Sequence, residues 1–319
     1  GGQCQPIYWL HNDCYDICFN LGGYVMGYVF QGLALNIVQA LLLLAFAPLI
    51  AGIINKVKAF LQKRQGASVL QEYFDLAKWW KKPTILTPYT SIIFVVAPAV
   101  YFITSFLAAS MVPGFLAGQI SISDAFIFVY ILALGRFFMC LSSMDAATAF
   151  GGMGGSREVY VSVLVEPAVM LAILINSLRY HSTTLSGMVI DYDGAYFTVS
   201  AALACVAFFL VILAENSRLP VDNPDTHLEL TMIHEGMTLE YSGPLLTLIH
   251  LGSMLKVMVF LTLFGALYLP LAVPLAVKIL FGAVLIGLVE ILNNKMRLFK
   301  VRVYMGAAIV LLLLAIIAE

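Results

Sequence analysis

Apolar residues in this chain come in runs of about twenty, parted by shorter polar stretches. A helix of about twenty apolar residues is long enough to cross a bilayer. Eight such runs can be read, near 33–54, 89–112, 124–143, 160–179, 195–214, 245–269, 272–292 and 301–318. The expected fold is therefore all-α, a polytopic membrane protein with about eight transmembrane helices in one domain over residues 34–319. Four polar connections, 55–88, 144–159, 215–244 and 293–300, then fall on one side of the membrane. No fixed-period repeat is visible, and the two halves show none of the inverted symmetry that many secondary transporters carry.

The first connection has its own pattern. Ser68 and Gln71 have capping-box spacing. After them Val69, Tyr73, Phe74, Ala77 and Trp80 recur at helical intervals, against Gln71, Glu72, Asp75 and Lys78. This predicts an amphipathic helix lying in the interface, with Trp79 and Trp80 at headgroup depth.

Composition agrees with the membrane reading: hydrophobic residues make up 61%, charged residues 11%, and the mean hydropathy is +0.95. Charge then sets topology. Lys56, Lys58, Lys63, Arg64, Lys78, Lys81, Lys82, Arg157, Arg218, Lys295, Arg297, Lys300 and Arg302 lie in or beside the four connections, while the opposite side holds only Arg179. By the positive-inside rule these connections face inside and both termini face outside. Five scattered cysteines, Cys4, Cys14, Cys18, Cys140 and Cys205, fit neither a disulfide framework nor Cys-x-x-Cys pairs. No metal or redox cofactor is expected on this chain. Residues 1–33 lack the basic start of a signal peptide and read as an unassigned extension.

The remaining ionisable residues are few, and their position is costly. A charge at mid-membrane costs about 2.5–3.5 kcal/mol on insertion scales, so Arg136, Asp145, Glu166, Glu215, Lys256, Lys278 and Glu290 are expected to face protein or water. Arg136 and Lys278, nearer to span ends, suit snorkelling or a structural pair. Glu166 precedes Pro167, which removes a backbone donor and bends the helix, opening carbonyls to water. The stretch AENSRLPVDNPDTHLELTMIHEGMTLEYSG, 214–243, is the richest in charge, with Glu215, Asp222, Asp225, Glu229, Glu235 and Glu240. Pro220 and Pro224 break the chain, and Thr226 is placed to cap a helix running to about Tyr241. On it His227, Thr231, His234 and Thr238 would share one stripe. Such a stripe is either a solvated face or, together with the acids, a hydrated path for protons.

Two motifs fail their chemistry. His234-Glu235 opens like a zinc-protease signature, but Thr238 stands where the second histidine is needed. GGMGGS, 151–156, has no preceding strand and is not a phosphate loop. AENSRLPVDNP, closed by EYSG, resembles the loop between the fifth and sixth helices of the membrane subunit of respiratory complex I that adjoins its quinone chamber. QGASVLQEY at 65–73, GGSREVYVSVLVEP at 154–167 and THLELTMIHEGMTLEYSG are more similar to the corresponding subunit of group 4 membrane-bound nickel–iron hydrogenases, including formate hydrogenlyase. Lys256 also matches a lysine of the hydrogenase-type sixth helix. The resemblance spans nearly everything after residue 33. It implies a membrane subunit that anchors a redox arm and couples electron transfer to proton or Na⁺ movement. The NiFe centre and Fe-S clusters would be held by hydrogenase-type large and small subunits and an Fe-S subunit, beside antiporter-like membrane subunits. Carried over by position, Glu166, Glu215, Asp222, Asp225, Glu229 and Glu240 would form the proton path; Glu235, which with His234 lies in an insertion relative to the complex I form, and Lys256 are placed beside them. Arg157, Arg218, His227 and His234 would lie at the subunit junction. A quinone-chamber subunit of complex I, or a standalone ion or solute transporter, are the alternatives.

Overall fold

The computed structural model describes all residues except 1–9, 87–89, 115–123, 191–197, 224–231 and 271, and describes 10–31 and 190 by backbone alone. The elements are α1 (Leu10–Leu61), α2 (Gln71–Trp80), α3 (Ile92–Met111), α4 (Ala125–Asp145), α5 (Ala149–Tyr180), α6 (Gly187–Ile190), α7 (Val199–Glu215), α8 (His234–Thr238), α9 (Gly243–Tyr268), α10 (Leu275–Leu292) and α11 (Leu298–Ile317). Seven of these are long and apolar enough to cross a membrane, and α7 is a shorter apolar helix, so the expected set of eight is met.

Their ends sort into two groups. The Ser91 N–H and hydroxyl both donate to Asp145 Oδ2, at 2.8 and 2.9 Å, Ile85 N donates to Ser242 Oγ at 2.8 Å, and Met296 N donates to the Pro220 carbonyl at 2.9 Å. The connections after α1, α4, α7 and α10 therefore meet at one end of the bundle. At the opposite end Ala125 N donates to the Thr183 carbonyl at 3.1 Å.

Helix α9 is central. A transmembrane helix apolar on every side must be surrounded by other helices or by lipid, and here Leu255 through Leu267 are buried without a break. It packs against α1, α3 and α10, with α2 and α7 beside them. Phe128, Phe208 and Phe260 are among the largest side chains withdrawn completely from the surface.

Three expectations are revised. The span expected at 160–179 is helical from Ala149, so the connection assigned to 144–159 shrinks to 146–148. Thr148 Oγ1 caps α5 by accepting from Gly151 N at 3.2 Å, and the glycines that weaken helix propensity are used for close packing instead. A Cβ at Gly154 would stand 2.9 Å from the carbonyl carbon of Gly236, so α8 lies against bare backbone. The helix expected from Thr226 to about Tyr241 is described only as α8, five residues, with Thr226 and His227 outside the described residues. The Ser68–Gln71 capping box does not form: the residue before α2 is Leu70, and Gln71 Nε2 instead donates to Asp75.

Helix α2 also turns differently from the expected amphipathic face. Leu76 is buried, Glu72, Tyr73, Asp75 and Trp79 are half-buried, and Phe74, Ala77 and Trp80 are exposed. Trp79 stacks on His250 of α9, ring centroids 4.7 Å apart.

Candidate functional site

Below the gathered connections lies a cavity of about 520 Å³ whose walls come from α1, α2, α3, α4, α5, α8, α9 and the segment after α7. Pockets that bind small molecules are usually mostly apolar with a few placed polar groups. This one differs: Glu72, Asp75, Arg136, Glu158, Glu215, Arg218, Asp222, His234, Glu235 and Lys256 all line it.

At its inner wall the charges form one cluster. Arg136 of α4 pairs with Glu215, with Glu158 at 3.5 Å and with Glu166 at 3.3 Å. Lys256 Nζ reaches Glu215 Oε1 at 2.8 Å and also donates to the Glu215 carbonyl at 2.9 Å, one of the last acceptors of α7. Burying charges is costly unless opposite charges and hydrogen bonds replace water. Arg136, Glu158, Glu215 and Lys256 are all nearly closed to solvent, whereas the Glu166 side chain keeps 41% of its surface. The cluster thus runs from the cavity, through Arg136, to a carboxylate at the outside of the bundle. Three acids face two bases here. Glu158 Oε2 and Glu215 Oε2 have no hydrogen-bond partner among the described residues.

A second group fixes the opposite wall. Glu290 of α10 pairs with Lys58 of α1 at 3.1 Å and with Arg218 at 3.3 Å. Asp222 Oδ1 accepts from Lys295 at 2.7 Å, while its Oδ2 accepts from Ile233 N at 3.2 Å and His234 N at 3.0 Å. One carboxylate therefore ties the start of α8 to the turn before α11.

Of the residues singled out in the sequence, the structure brings Glu166, Glu215 and Lys256 into one cluster and places Asp222, His234, Glu235 and Arg218 on the cavity wall. Arg157 donates to the Met232 carbonyl at 3.1 Å, beside α8. Glu240 is half-buried and does not line the cavity. Asp225, Glu229 and His227 lie outside the described residues. Lys278 donates to the Leu269 carbonyl at 3.0 Å, a structural pairing as expected.

The sequence pattern does not single out Glu158, which falls within the connection expected at 144–159, nor show that Arg136 is the centre of the cluster. A signal for Glu158 existed: it stands eight residues before Glu166, about two helical turns, in a run with no proline between them. Glu72 and Asp75, on the polar side of the expected amphipathic helix, both face the cavity.

Likeness to known proteins decides the family. Residues 33–318 match the family model described as NADH dehydrogenase. The chain belongs to the NADH dehydrogenase subunit 1 family. It is 32% identical over 266 residues to hydrogenase-4 component C of Escherichia coli, covering 80% of this chain and 81% of that protein. It is 30% identical over 283 residues to formate hydrogenlyase subunit 4 of the same organism, covering 82% and 90%. An NADH-quinone oxidoreductase subunit of Rhodospirillum rubrum is 28% identical over 210 residues, covering 62% and 61%. Among solved structures, a chain of the membrane-bound sulfane sulfur reductase, an archaeal respiratory membrane complex, shares the fold with a TM-score of 0.74 at 19% identity, covering 89% of this chain and 99% of that one. As a member of the subunit 1 family this chain is a multi-pass membrane subunit of the complex I-like and hydrogenase-type respiratory complexes.

Proposed function

We propose that this subunit 1 family protein anchors the redox arm of a group 4 nickel–iron hydrogenase-type complex and couples electron transfer to proton or Na⁺ movement. The observation that carries this reading is the Arg136 cluster, which links cavity-facing Glu215 and Glu158 to half-exposed Glu166 through one guanidinium. The greater identity to hydrogenase-4 and formate hydrogenlyase subunits supports the hydrogenase branch. The partners would be large and small hydrogenase-type subunits carrying the NiFe centre, an Fe-S subunit, and antiporter-like subunits next to Glu166. Electron arrival beside the cavity changes local charge, which shifts proton occupancy in a cluster where three acids share two bases. Water in the cavity supplies the proton, Glu215 and Glu158 receive it, and Glu166 passes it outward. The connections rich in Lys and Arg would then face the cytoplasm, as the distribution of basic residues requires.

Glu166→Gln in the complex reconstituted in liposomes tests this. A positioned proton-transfer group contributes about 10²–10⁴-fold, so ion pumping should fall by about a hundredfold while dye-linked hydrogen turnover stays near the parent value. Undiminished pumping overturns the coupling role. Turnover that requires a quinone analogue and yields no hydrogen would instead assign the chain to a complex I-type assembly.

A further inference from the structure

Helix α2 has two faces with different chemistry. Glu72, Asp75 and Trp79 turn toward the cavity. Leu70, Phe74, Ala77, Lys78 and Lys81, at helical spacing, turn the other way and are all exposed. This outer face is apolar at its start and basic at its end. In the last turn of α1, where that membrane helix stops, Phe60 is 79% exposed as well. Lys63, Arg64 and Lys82 stand exposed at either side. Among the described residues none of Lys63, Arg64, Lys78, Lys81 and Lys82 has an ion-pair partner. The two acids within 55–86, Glu72 and Asp75, are turned away on the cavity side.

We infer that this face is a seat for the headgroups of anionic phospholipids. The apolar side chains reach acyl chains at the membrane boundary, and the unneutralised cations meet phosphate and headgroup charge above them, as on interfacial helices that select acidic lipid. A protein partner would have to bring both an apolar strip and several acids to the bilayer surface, whereas an acidic monolayer offers both along the whole length of the helix. Because the other face of α2 is a cavity wall, headgroup binding holds Glu72, Asp75 and Trp79 in place.

The test uses the purified complex, with Trp9→Phe introduced in this chain, in nanodiscs of phosphatidylcholine and phosphatidylglycerol. Quenching of the tryptophan emission added by this chain, relative to a Trp9→Phe/Trp80→Phe complex, is compared between brominated phosphatidylglycerol and brominated phosphatidylcholine at equal mole fraction. Two cations at a headgroup suffice for roughly tenfold enrichment, so the acidic lipid should be the stronger quencher by about that factor. Replacing Lys63, Arg64, Lys78, Lys81 and Lys82 together by Gln should bring the ratio close to one without altering quenching by the zwitterionic lipid. Equal quenching by both lipids in the parent overturns the inference. So does an absence of quenching by either, which would mean that a protein partner covers the face.

Discussion

Glu72 turns inward from α2, and its Oε1 accepts from Asn55 Nδ2 at 2.9 Å. Burial holds its carboxyl above the ordinary carboxylate range and the charge of Asp75 pushes the same way, while Asn55, Arg218 and Lys58 pull it down. An acid whose folded value is raised gives stability that is full below its unfolded value, near pH 4, and fades as pH rises through the folded value. Glu72→Gln removes that dependence. The difference in thermal midpoint between parent and Glu72→Gln should therefore move against the parent as pH rises above about 4, measured on the solubilised complex; a difference curve that is flat or of opposite slope rejects the assignment. At this scale the sequence carried part of the site. Glu215, Lys256 and Glu166 stood out because a lone charge in an apolar run has few structural explanations. Glu72, Asp75 and Glu158 did not, because each lies in a stretch polar enough to pass for a solvated surface, and only the turn of the helix tells which side it faces.

Helix α5 illustrates how an element can be lengthened past its membrane span. Its first turns, GGMGGS, are glycine-rich because neighbours come within backbone distance on one side only. A Cβ on Gly154 would meet α8 backbone at Gly236 and Met237, while Gly152 has nothing within 4 Å. Gly154→Ala should lower stability by about 1–3 kcal/mol, the usual cost of overpacking against atoms that cannot swing away. Gly152→Ala should raise it by about 0.5–1 kcal/mol through helix propensity alone. Thermal unfolding of the two variants in the same detergent checks both, and equal effects would remove the packing explanation. The same residues show why the element boundary was not legible: four glycines in six residues signal a loop by propensity, and close approach between helices, a long-range fact, overrides it.

For the molecule as a whole, apolar length was enough to find eight crossings, because the bilayer fixes how long each must be. Which helix sits in the middle was not legible, since central and lipid-facing helices are equally apolar in a solvent that is itself hydrocarbon. The cavity was likewise hidden, for it is assembled from elements far apart in sequence, from Ala51 to Val257. The gathered connections should lie on the cytoplasmic side. A Lys63→Cys variant, exposed after α1, should react with an impermeant maleimide in inside-out vesicles, and Ala272→Cys, exposed between α9 and α10, in right-side-out cells. The reverse pattern would invert the topology.

The carboxylate of Asp222 holds Ile233 and His234 by their amides and Lys295 by its ammonium. Two parts of the cavity wall that stand twelve residues apart in sequence, Asp222 and His234, are thus joined by a single carboxylate. Loss of that one carboxylate would therefore release the α8 side of the wall and the turn before α11 together.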